Sequence, residues 1–244
     1  MLDPSESQNV QNLFSATQTQ VSRDHAISHV LTALQDIHSE MIFFSGTALA
    51  RTYLTQGRLS EDIDLYSSNR QSLCRDIDEL PEMIEQEFPR ATWDRLPSLT
   101  SDSQSALLIC DSSIQIKVQV VDSRKGGWSK VPTALTEIHQ RYSDVSSSQL
   151  LVPTFDGFVA MKALAWFDRR SARDLFDLEG LSYKGEVTQG ARDLIDQIKG
   201  FRLSKEMMMG RVVGLWHEEL AHQTKLDKSE DECLERLLAW WGEW

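Results

Sequence analysis

The chain of 244 residues is 41% hydrophobic and 25% charged, which is ordinary for a globular protein of one large domain or two lobes. No apolar run approaches the roughly 18–20 residues that span a bilayer, and the polar stretch at residues 1–20 lacks the features of a signal peptide. The net charge of −12 argues against a general nucleic-acid coat protein, because such a surface repels phosphates unless it carries a local basic patch.

Cysteine usage indicates the compartment. Cys74, Cys110 and Cys233 are widely spaced and form no Cys-x-x-Cys pair. Disulfides or a zinc site on these cysteines are therefore not expected. The reducing cytoplasm is the predicted location, with no membrane association.

Apolar residues recur at helical spacing in some segments and alternate, or form short runs, in others. In chain order, the predicted elements are a helix at 24–37, a strand at 41–44, a helix at 48–54, a strand at 62–66, an acidic helix at 69–88, strands at 92–96, 105–110 and 114–121, and helices at 155–167, 172–178, 188–198, 205–222 and 230–241. The serine-rich stretch 143–149 marks a predicted boundary. We expect an α/β lobe over residues 1–145 and a helical lobe over residues 146–244.

Two aspartates alternate with apolar residues in the second predicted strand. Asp62 and Asp64 project from the same face, because residues two apart on a strand share a side. Two such charges about 5 Å apart repel by roughly 3 kcal/mol at an effective dielectric constant near 20, and a bound cation relieves that repulsion. Hard carboxylate oxygens suit Mg²⁺, or Mn²⁺ in its place. Alone, such a pair is more often a solvated strand edge; next to a phosphate-binding turn, it predicts a metal site.

That turn lies directly upstream. Ser45, Gly46 and Thr47 stand where a predicted strand enters a helix. Glycine lets a phosphate approach the backbone closely, and the free N–H groups of a helix start favour an anion. The turn and the carboxylate pair together predict a site for an NTP and a metal ion.

A second polar group lies about a hundred residues on. Lys162 supplies a flexible cation on one predicted helix, and Asp174 and Asp177 are three apart on the next, so they share a face. The densest basic cluster of the chain joins them: Arg169, Arg170 and Arg173. A solvated helix pair bridged by Arg–Asp contacts is the alternative, which the upstream motif disfavours.

These segments resemble a known family. Ser-Gly-Thr-Ala-Leu at 45–49, followed by Arg-Leu-Ser-Glu-Asp-Ile-Asp-Leu at 58–65, resembles motif I of the polymerase β-type nucleotidyltransferases. It is most similar to the AbiEii/AbiGii-type toxin branch, whose members usually read Gly-Gly-Thr-Ala-Leu, so that Ser45 replaces a glycine. Lys162, Arg169 and the Arg-Asp-Leu-Phe-Asp-Leu run at 173–178 resemble the Lys…Arg…Arg-Asp-x-x-Asp-Leu signature of that branch. The resemblance covers roughly residues 25–180.

The resemblance implies a mixed sheet flanked by helices, the nucleotidyltransferase fold, followed by a helical lobe that completes the active site. It implies Mg²⁺-dependent transfer of a nucleotide from an NTP to an acceptor, with the 3′ end of tRNA as the expected RNA acceptor and a cognate antitoxin as partner. Catalytic roles fall to Asp62, Asp64 and Lys162 and to one of Asp174 and Asp177. The predicted nucleotide-binding residues are Ser45, Gly46, Thr47, Arg58, Ser60, Lys162 and Arg173.

One departure keeps other functions open. Many enzymes of this superfamily carry a third carboxylate on a later strand, yet 114–121 offers Lys117 and Gln119 there, and Asp122 lies just past its end. Either that ligand is missing, or Asp122 or a later aspartate replaces it. The acceptor could instead be a small molecule or a protein, which the acidic net charge mildly favours. A degenerate module that only binds nucleotide or a partner is the third alternative.

Two histidines of the first predicted helix also have a spacing that suits metal binding. His25 and His29 are four apart and share a helical face, but the sequence shows no third ligand. Packed or exposed histidines are therefore the expected outcome.

Overall fold

The computed structural model describes residues 2–37, 39–101 and 104–242. Two helices precede the sheet in this part of the chain, α1 (Pro4–Phe14) and α2 (Gln18–Leu34). The sequence prediction missed α1 and began α2 six residues late, because it followed apolar spacing alone. The side chain of Thr17 caps α2 and that of Gln20 reaches back to it, so a capping box fixes the start of α2 in a polar stretch.

The described residues form a five-stranded mixed sheet, which confirms the predicted fold class. Its strands are β1 (Ile42–Phe44), β2 (Asp62–Ser67), β3 (Thr92–Arg95), β4 (Ala106–Ile109) and β5 (Gln115–Asp122). The order across the sheet is β1-β2-β5-β4-β3; β2 and β5 run parallel, and the other neighbours are antiparallel. Helix α3 (Ser45–Ala50) follows β1 without a linker, so the turn between them opens beside β2.

The acidic helix predicted at 69–88 is wrong as a single element. The structure has α4 (Arg70–Asp76), a 3₁₀ turn (Ile77–Glu79) and α5 (Leu80–Met83) in its place. Pro81 lies in the first turn of α5, where the missing N–H is harmless, but it cannot sit inside a continuous helix.

A hairpin that the sequence analysis did not predict follows the sheet. Its strands are β6 (Thr133–Ile138) and β7 (Ser148–Pro153), which pair antiparallel. Strand β7 also packs beside β1. The proposed boundary between residues 145 and 146 falls in the connection between the two strands.

The remaining elements are helices, as predicted. They are α6 (Phe155–Arg169), α7 (Ala172–Leu181), α8 (Gln189–Lys199), α9 (Lys205–Met208), α10 (Trp216–Leu220) and α11 (Glu230–Trp241). The single helix predicted at 205–222 is wrong, because Gly210 and Gly214 between α9 and α10 have φ of 153° and 130°, outside the helical region. Nowhere in the described ranges does a helix combine the length and apolarity needed to cross a bilayer.

One continuous core among the described residues joins the sheet to the helices. Ile63 of β2 and Val118 of β5 belong to it together with Phe158 of α6 and Leu175 of α7. Because α6 and α7 share this core with β2, their polar residues are brought close to Asp62 and Asp64.

Candidate active site

The turn from β1 into α3 has an unusual backbone. Ser45 has φ of 70°, in the left-handed region that glycine adopts without steric cost. Its hydroxyl donates a hydrogen bond to the carboxylate of Asp64. At Gly46 an added Cβ would lie 2.7 Å from Nη2 of Arg58 and 3.1 Å from Oγ of Ser60, so no larger residue fits without displacing them.

Thr47, the third residue of the predicted phosphate-binding turn, is buried and forms hydrogen bonds that fix the position of β2. Its hydroxyl donates to the backbone oxygen of Asp62 and lies 2.8 Å from Oγ of Ser60. The Thr47 side chain therefore positions the strand that carries the carboxylates, whereas Ser45 and Gly46 line the open cleft.

Asp62 and Asp64 lie on the cleft side of β2, while Ile63 and Leu65 between and beyond them are fully buried on the other side. Burial raises the pKa of Asp64, against the hydrogen bond from Ser45. The nearby negative charge of Asp62 raises the pKa of Asp64 further. Lys117 and Lys162 act to lower this pKa but do not outweigh burial, so the protein compensates the half-buried carboxylate only in part.

The register between the parallel strands β2 and β5 shows which residues neighbour Asp62 and Asp64. Asp62 is opposite Lys117, and Asp64 is opposite Gln119. Asp122, the predicted substitute ligand, is opposite Ser67 at the far end of the strands. Hydrogen bonds from Arg124, above all, lower the pKa of Asp122 to about 2. Asp122 is therefore not a neighbour of Asp62 and Asp64 on the sheet.

Lys162, Asp174 and Asp177 form a buried network with two arginines. Lys162 Nζ lies 3.2 Å from Asp174 Oδ1 and 2.6 Å from Asp177 Oδ2. Arg58 donates two hydrogen bonds of 2.9 Å to the carboxylate of Asp177. Arg169 donates hydrogen bonds of 2.6 and 2.9 Å to the carboxylate of Asp174. Such bidentate pairs fix both the position and the orientation of a guanidinium.

Both aspartates of this network stay charged despite burial. Burial acts to raise the pKa of Asp177, but Arg58 and Lys162 outweigh it and lower that pKa. Burial also acts to raise the pKa of Asp174, but Lys162 and Arg169 outweigh it and lower that pKa. The two carboxylates therefore hold cations in place, and both contact Lys162.

Asp62 and Asp64 share a cleft of about 370 Å³ with the cations of this network. Among the described residues that line it, five are cationic and two are carboxylates. Asp174 and Asp177 pair with three of these cations from behind the lining, so the cations exceed the carboxylates by one charge in all. The cationic residues are Arg58, Lys117, Lys162, Arg169 and Arg173. Ser60 lines the cleft as well, whereas Arg170 of the basic cluster bonds the backbone oxygens of Met207 and Met208 instead.

Sequence reasoning did not single out the aromatic wall of the cleft. The ring of Phe44 stacks on Tyr66 at a centroid distance of 3.6 Å, and Tyr66 stacks on Trp128 at 6.0 Å. All three line the cleft. Tyr66 could have been found from its place two residues after Asp64 on β2, but Trp128 follows an irregular loop and carries no sequence signal.

The cleft suits a hard divalent cation. Asp62 and Asp64 offer carboxylate oxygens side by side, and the described lining residues include no histidine or cysteine. Mg²⁺ prefers this donor set, with one or two carboxylates from the protein and further oxygens from a phosphate.

Comparison with known proteins identifies the class. The profile of a family described as nucleotidyl transferase AbiEii toxin, type IV toxin–antitoxin system, matches residues 30–228. The chain belongs to this family and is a nucleotidyltransferase. Family membership implies an NTP substrate and an antitoxin partner.

The solved structure of a nucleotidyltransferase toxin shows the same fold. MenT4, a nucleotidyltransferase toxin from Mycobacterium tuberculosis H37Rv, superposes with a TM-score of 0.72 at 17% identity, over 99% of this chain and 89% of that one. An antigenic nucleotidyltransferase-like protein from Paracoccidioides brasiliensis gives a TM-score of 0.40 at 12% identity, over 78% of this chain and 93% of that one. No curated protein matches the sequence significantly.

Proposed function

We propose that this toxin-family enzyme transfers a nucleoside monophosphate from an NTP to a hydroxyl of RNA, at the 3′ end of tRNA, with Asp62 and Asp64 as ligands of Mg²⁺ or Mn²⁺. One observation carries the proposal. In a single cleft, two carboxylates on one face of β2 stand against five cationic side chains. A triphosphate with its metal ion matches that charge pattern.

In the proposed reaction the acceptor hydroxyl attacks the α-phosphate, a new P–O bond forms, and the bond to pyrophosphate breaks. A divalent ion held by Asp62 and Asp64 would activate the hydroxyl and stabilise the leaving pyrophosphate. Lys162, Arg58 and Arg173 supply positive charge to the phosphates. The backbone of the Ser45–Thr47 turn and the Ser60 hydroxyl bind the opposite side of the triphosphate.

Asp174 and Asp177 act in this proposal without touching the substrate. Asp177 holds Arg58 and Lys162, and Asp174 holds Lys162 and Arg169. Residues 146–244 then form a lobe that completes the active site, because Lys162, Arg169 and Arg173 all come from α6 and α7 or the turn between them.

The charge distribution supports RNA as the acceptor. The chain as a whole carries −12, which repels polyanions, yet the cleft is lined by five cationic side chains and two carboxylates. An RNA chain is therefore attracted to the cleft. The cytoplasm is the proposed compartment, since tRNA and NTPs are present there and the three cysteines are unpaired.

The acceptor is tested by label transfer from each α-³²P-labelled NTP to tRNA, to total protein and to small hydroxyl compounds in parallel. We expect label on tRNA, from a preferred NTP, and no label on tRNA whose 3′-terminal diol has been oxidised with periodate. Label on protein or on small compounds, and none on tRNA, would show that RNA is not the acceptor. No transfer to any acceptor, with nucleotide still bound, would favour the degenerate module.

A further inference from the structure

Outside the cleft, four metal-binding side chains from three parts of the chain converge. His25 and His29 come from α2, Glu87 from the segment after α5, and Asp144 from the connection between β6 and β7. One ligand atom of each lies within 4.8 Å of all the others. The helical pair that lacked further ligands in the sequence therefore gains two carboxylates in the fold.

The distances from His25 to His29 and to Asp144 match the edges of a coordination tetrahedron. Nε2 of His29 lies 3.2 Å from Nε2 of His25, which in turn lies 3.1 Å from both carboxylate oxygens of Asp144. Ligands about 2.0–2.1 Å from a tetrahedral zinc ion are separated by about 3.3 Å. The other ligand atoms lie within 4.8 Å of one another, so each pair has to approach by about 1.5 Å at most to hold such an ion.

Nε2 of His25 cannot satisfy both of its neighbours by hydrogen bonding. Nε2 of His25 faces both the carboxylate of Asp144 and Nε2 of His29, yet an imidazole nitrogen carries at most one proton. A cation at the centre would accept the nitrogen lone pairs and neutralise the carboxylates together.

The surroundings hold the rings in place. The ring of His25 packs edge-on against Tyr142 at a centroid distance of 4.9 Å, and that of His29 against Phe88 at 5.7 Å. The hydroxyl of Tyr142 donates to Asp24 at 2.9 Å, which anchors the ring beside His25. These contacts restrict the imidazoles to orientations in which Nε2 of each points into the cluster.

We propose that His25, His29, Glu87 and Asp144 bind a structural Zn²⁺ ion. Two imidazoles and two carboxylates form a closed set of four ligands, the arrangement typical of structural zinc. Imidazole ligands select zinc over Mg²⁺, so this site and the oxygen-lined cleft take different ions. The two sites share no ligand.

A metal ion here would brace the catalytic cleft from behind. It ties α2 to the β6–β7 connection, and α2 also supplies Asp24, whose carboxylate binds Arg51 at 2.9 Å directly after α3. The phosphate-binding turn at the other end of α3 thereby rests on the metal-bound helix. The expected role is stability of the fold, with no part in the transfer chemistry.

The test uses untagged full-length protein that has been stripped with EDTA and dialysed against Zn²⁺. Bound metal is measured by elemental analysis, and thermal unfolding is followed with and without the ion. His29→Asn and Asp144→Asn are the test variants, because both side chains are at least partly exposed and tolerate replacement better than buried His25. His217→Asn, at an exposed position of α10, and Asp64→Asn, in the cleft, are the controls.

We expect one tightly bound zinc in the wild type and in both controls, with Tm raised by roughly 5 °C or more when Zn²⁺ exceeds its Kd a hundredfold. His29→Asn and Asp144→Asn should weaken binding at least about 100-fold and lose the Tm shift. Co²⁺ in place of zinc should give the intense visible bands of tetrahedral coordination in the wild type, and these bands should be absent from His29→Asn and Asp144→Asn. Equal zinc content in the wild type and His29→Asn, or loss of zinc in Asp64→Asn, would overturn the proposal.

Discussion

Ser45 combines a strained backbone with a functional hydrogen bond. Its φ of 70° costs a non-glycine residue about 1–2 kcal/mol. The family motif that residues 45–49 resemble usually has glycine at this position, and glycine does not bear this cost. The Ser45 hydroxyl donates to Asp64, and this hydrogen bond acts to lower the pKa of that carboxylate. The serine thus offsets part of the burial of a proposed metal ligand.

Replacing Ser45 separates the two effects. Ser45→Gly relieves the strain and loses the hydrogen bond, whereas Ser45→Ala loses the bond and keeps the strain. We expect the glycine variant to be more stable than the alanine variant by about 1 kcal/mol in urea unfolding. Both variants should raise the pKa of Asp64 in an NMR titration. Equal stability of the two variants would show that φ at this position is not strained.

Asp64 predicts a dependence of stability on pH. Its pKa in the folded protein is raised by burial above the ordinary value of 3.8, so folding favours the protonated form. This contribution to stability is fully present below the ordinary pKa and is lost as the pH rises through the folded-state pKa.

Asp64→Asn should therefore stabilise the metal-free protein at pH 7, by about 1 kcal/mol or roughly 2–4 °C in Tm, because it removes the buried charge. The advantage should disappear when melts are repeated near pH 4. Added Mg²⁺ should raise the Tm of the wild type and leave that of the variant unchanged. A variant less stable than the wild type at pH 7 would contradict this assignment of a half-buried charge that the protein compensates only in part.

At the scale of helices and strands, the packing of α7 against α6 distinguishes two aspartates that the sequence left equivalent. Asp177 holds Arg58 and Lys162, whose side chains are only 6% and 7% exposed. Asp174 shares Lys162 but otherwise holds Arg169, whose side chain is 59% exposed. Loss of Asp177 leaves the buried Arg58 without its carboxylate and removes one of the two carboxylates that bind Lys162. Loss of Asp174 also removes one carboxylate from Lys162, but water can solvate the exposed Arg169.

We expect Asp177→Asn to lower the free energy of unfolding by about 3–5 kcal/mol, the usual cost of breaking a buried ion pair. Asp174→Asn should cost at least about 1 kcal/mol less. Both variants should raise KM for the NTP, because Lys162 loses a fixed position in each. Urea unfolding and steady-state kinetics give the two quantities, and a larger loss of stability in Asp174→Asn would reverse the proposed order.

The same scale shows how far the sequence carried the prediction. β2, β5, α6 and α7 follow strong alternating or helical patterns and lie close to where they were expected. α1 and β6 were missed because exposed residues dilute their apolar pattern. β7 is mostly buried and was missed because its apolar run, residues 150–152, is short. The single helices predicted at 69–88 and 205–222 failed at Pro81 and at the glycines between α9 and α10.

The site was predictable where a local motif exists. The order of the two motifs was enough to predict that Asp62 and Asp64 lie near Lys162, Asp174 and Asp177. The pairing of Arg58 with Asp177 joins residues 119 positions apart, and nothing in the sequence signals it. Glu87 and Asp144 join His25 and His29 for the same reason, since only the packed fold brings those segments together.

At the scale of the whole molecule, the acidic surface and the basic cleft predict how RNA binding depends on salt. Arg173 is exposed and lines the cleft, whereas Arg211 is exposed elsewhere and pairs with Asp231. Arg173→Gln should weaken tRNA binding several-fold near 0.1 M salt and reduce the slope of log K against log salt by about 0.7–0.9. Arg211→Gln should change neither. Fluorescence anisotropy with labelled tRNA measures both, and equal effects of the two variants would remove the cleft as the RNA site.

The central claim is that Asp62 and Asp64 carry the transfer, and matched Asp→Asn variants test it most directly. Transfer of label from the preferred α-³²P NTP to tRNA is measured in Mg²⁺ for the wild type, Asp62→Asn, Asp64→Asn and Asp122→Asn, with a melting curve for each. The first two variants should keep a cooperative melt and lose at least roughly 100-fold in rate. Asp122→Asn, at the far end of the same pair of strands, should transfer label at close to the wild-type rate. Transfer that persists in folded Asp64→Asn, or that disappears in folded Asp122→Asn, would contradict the account.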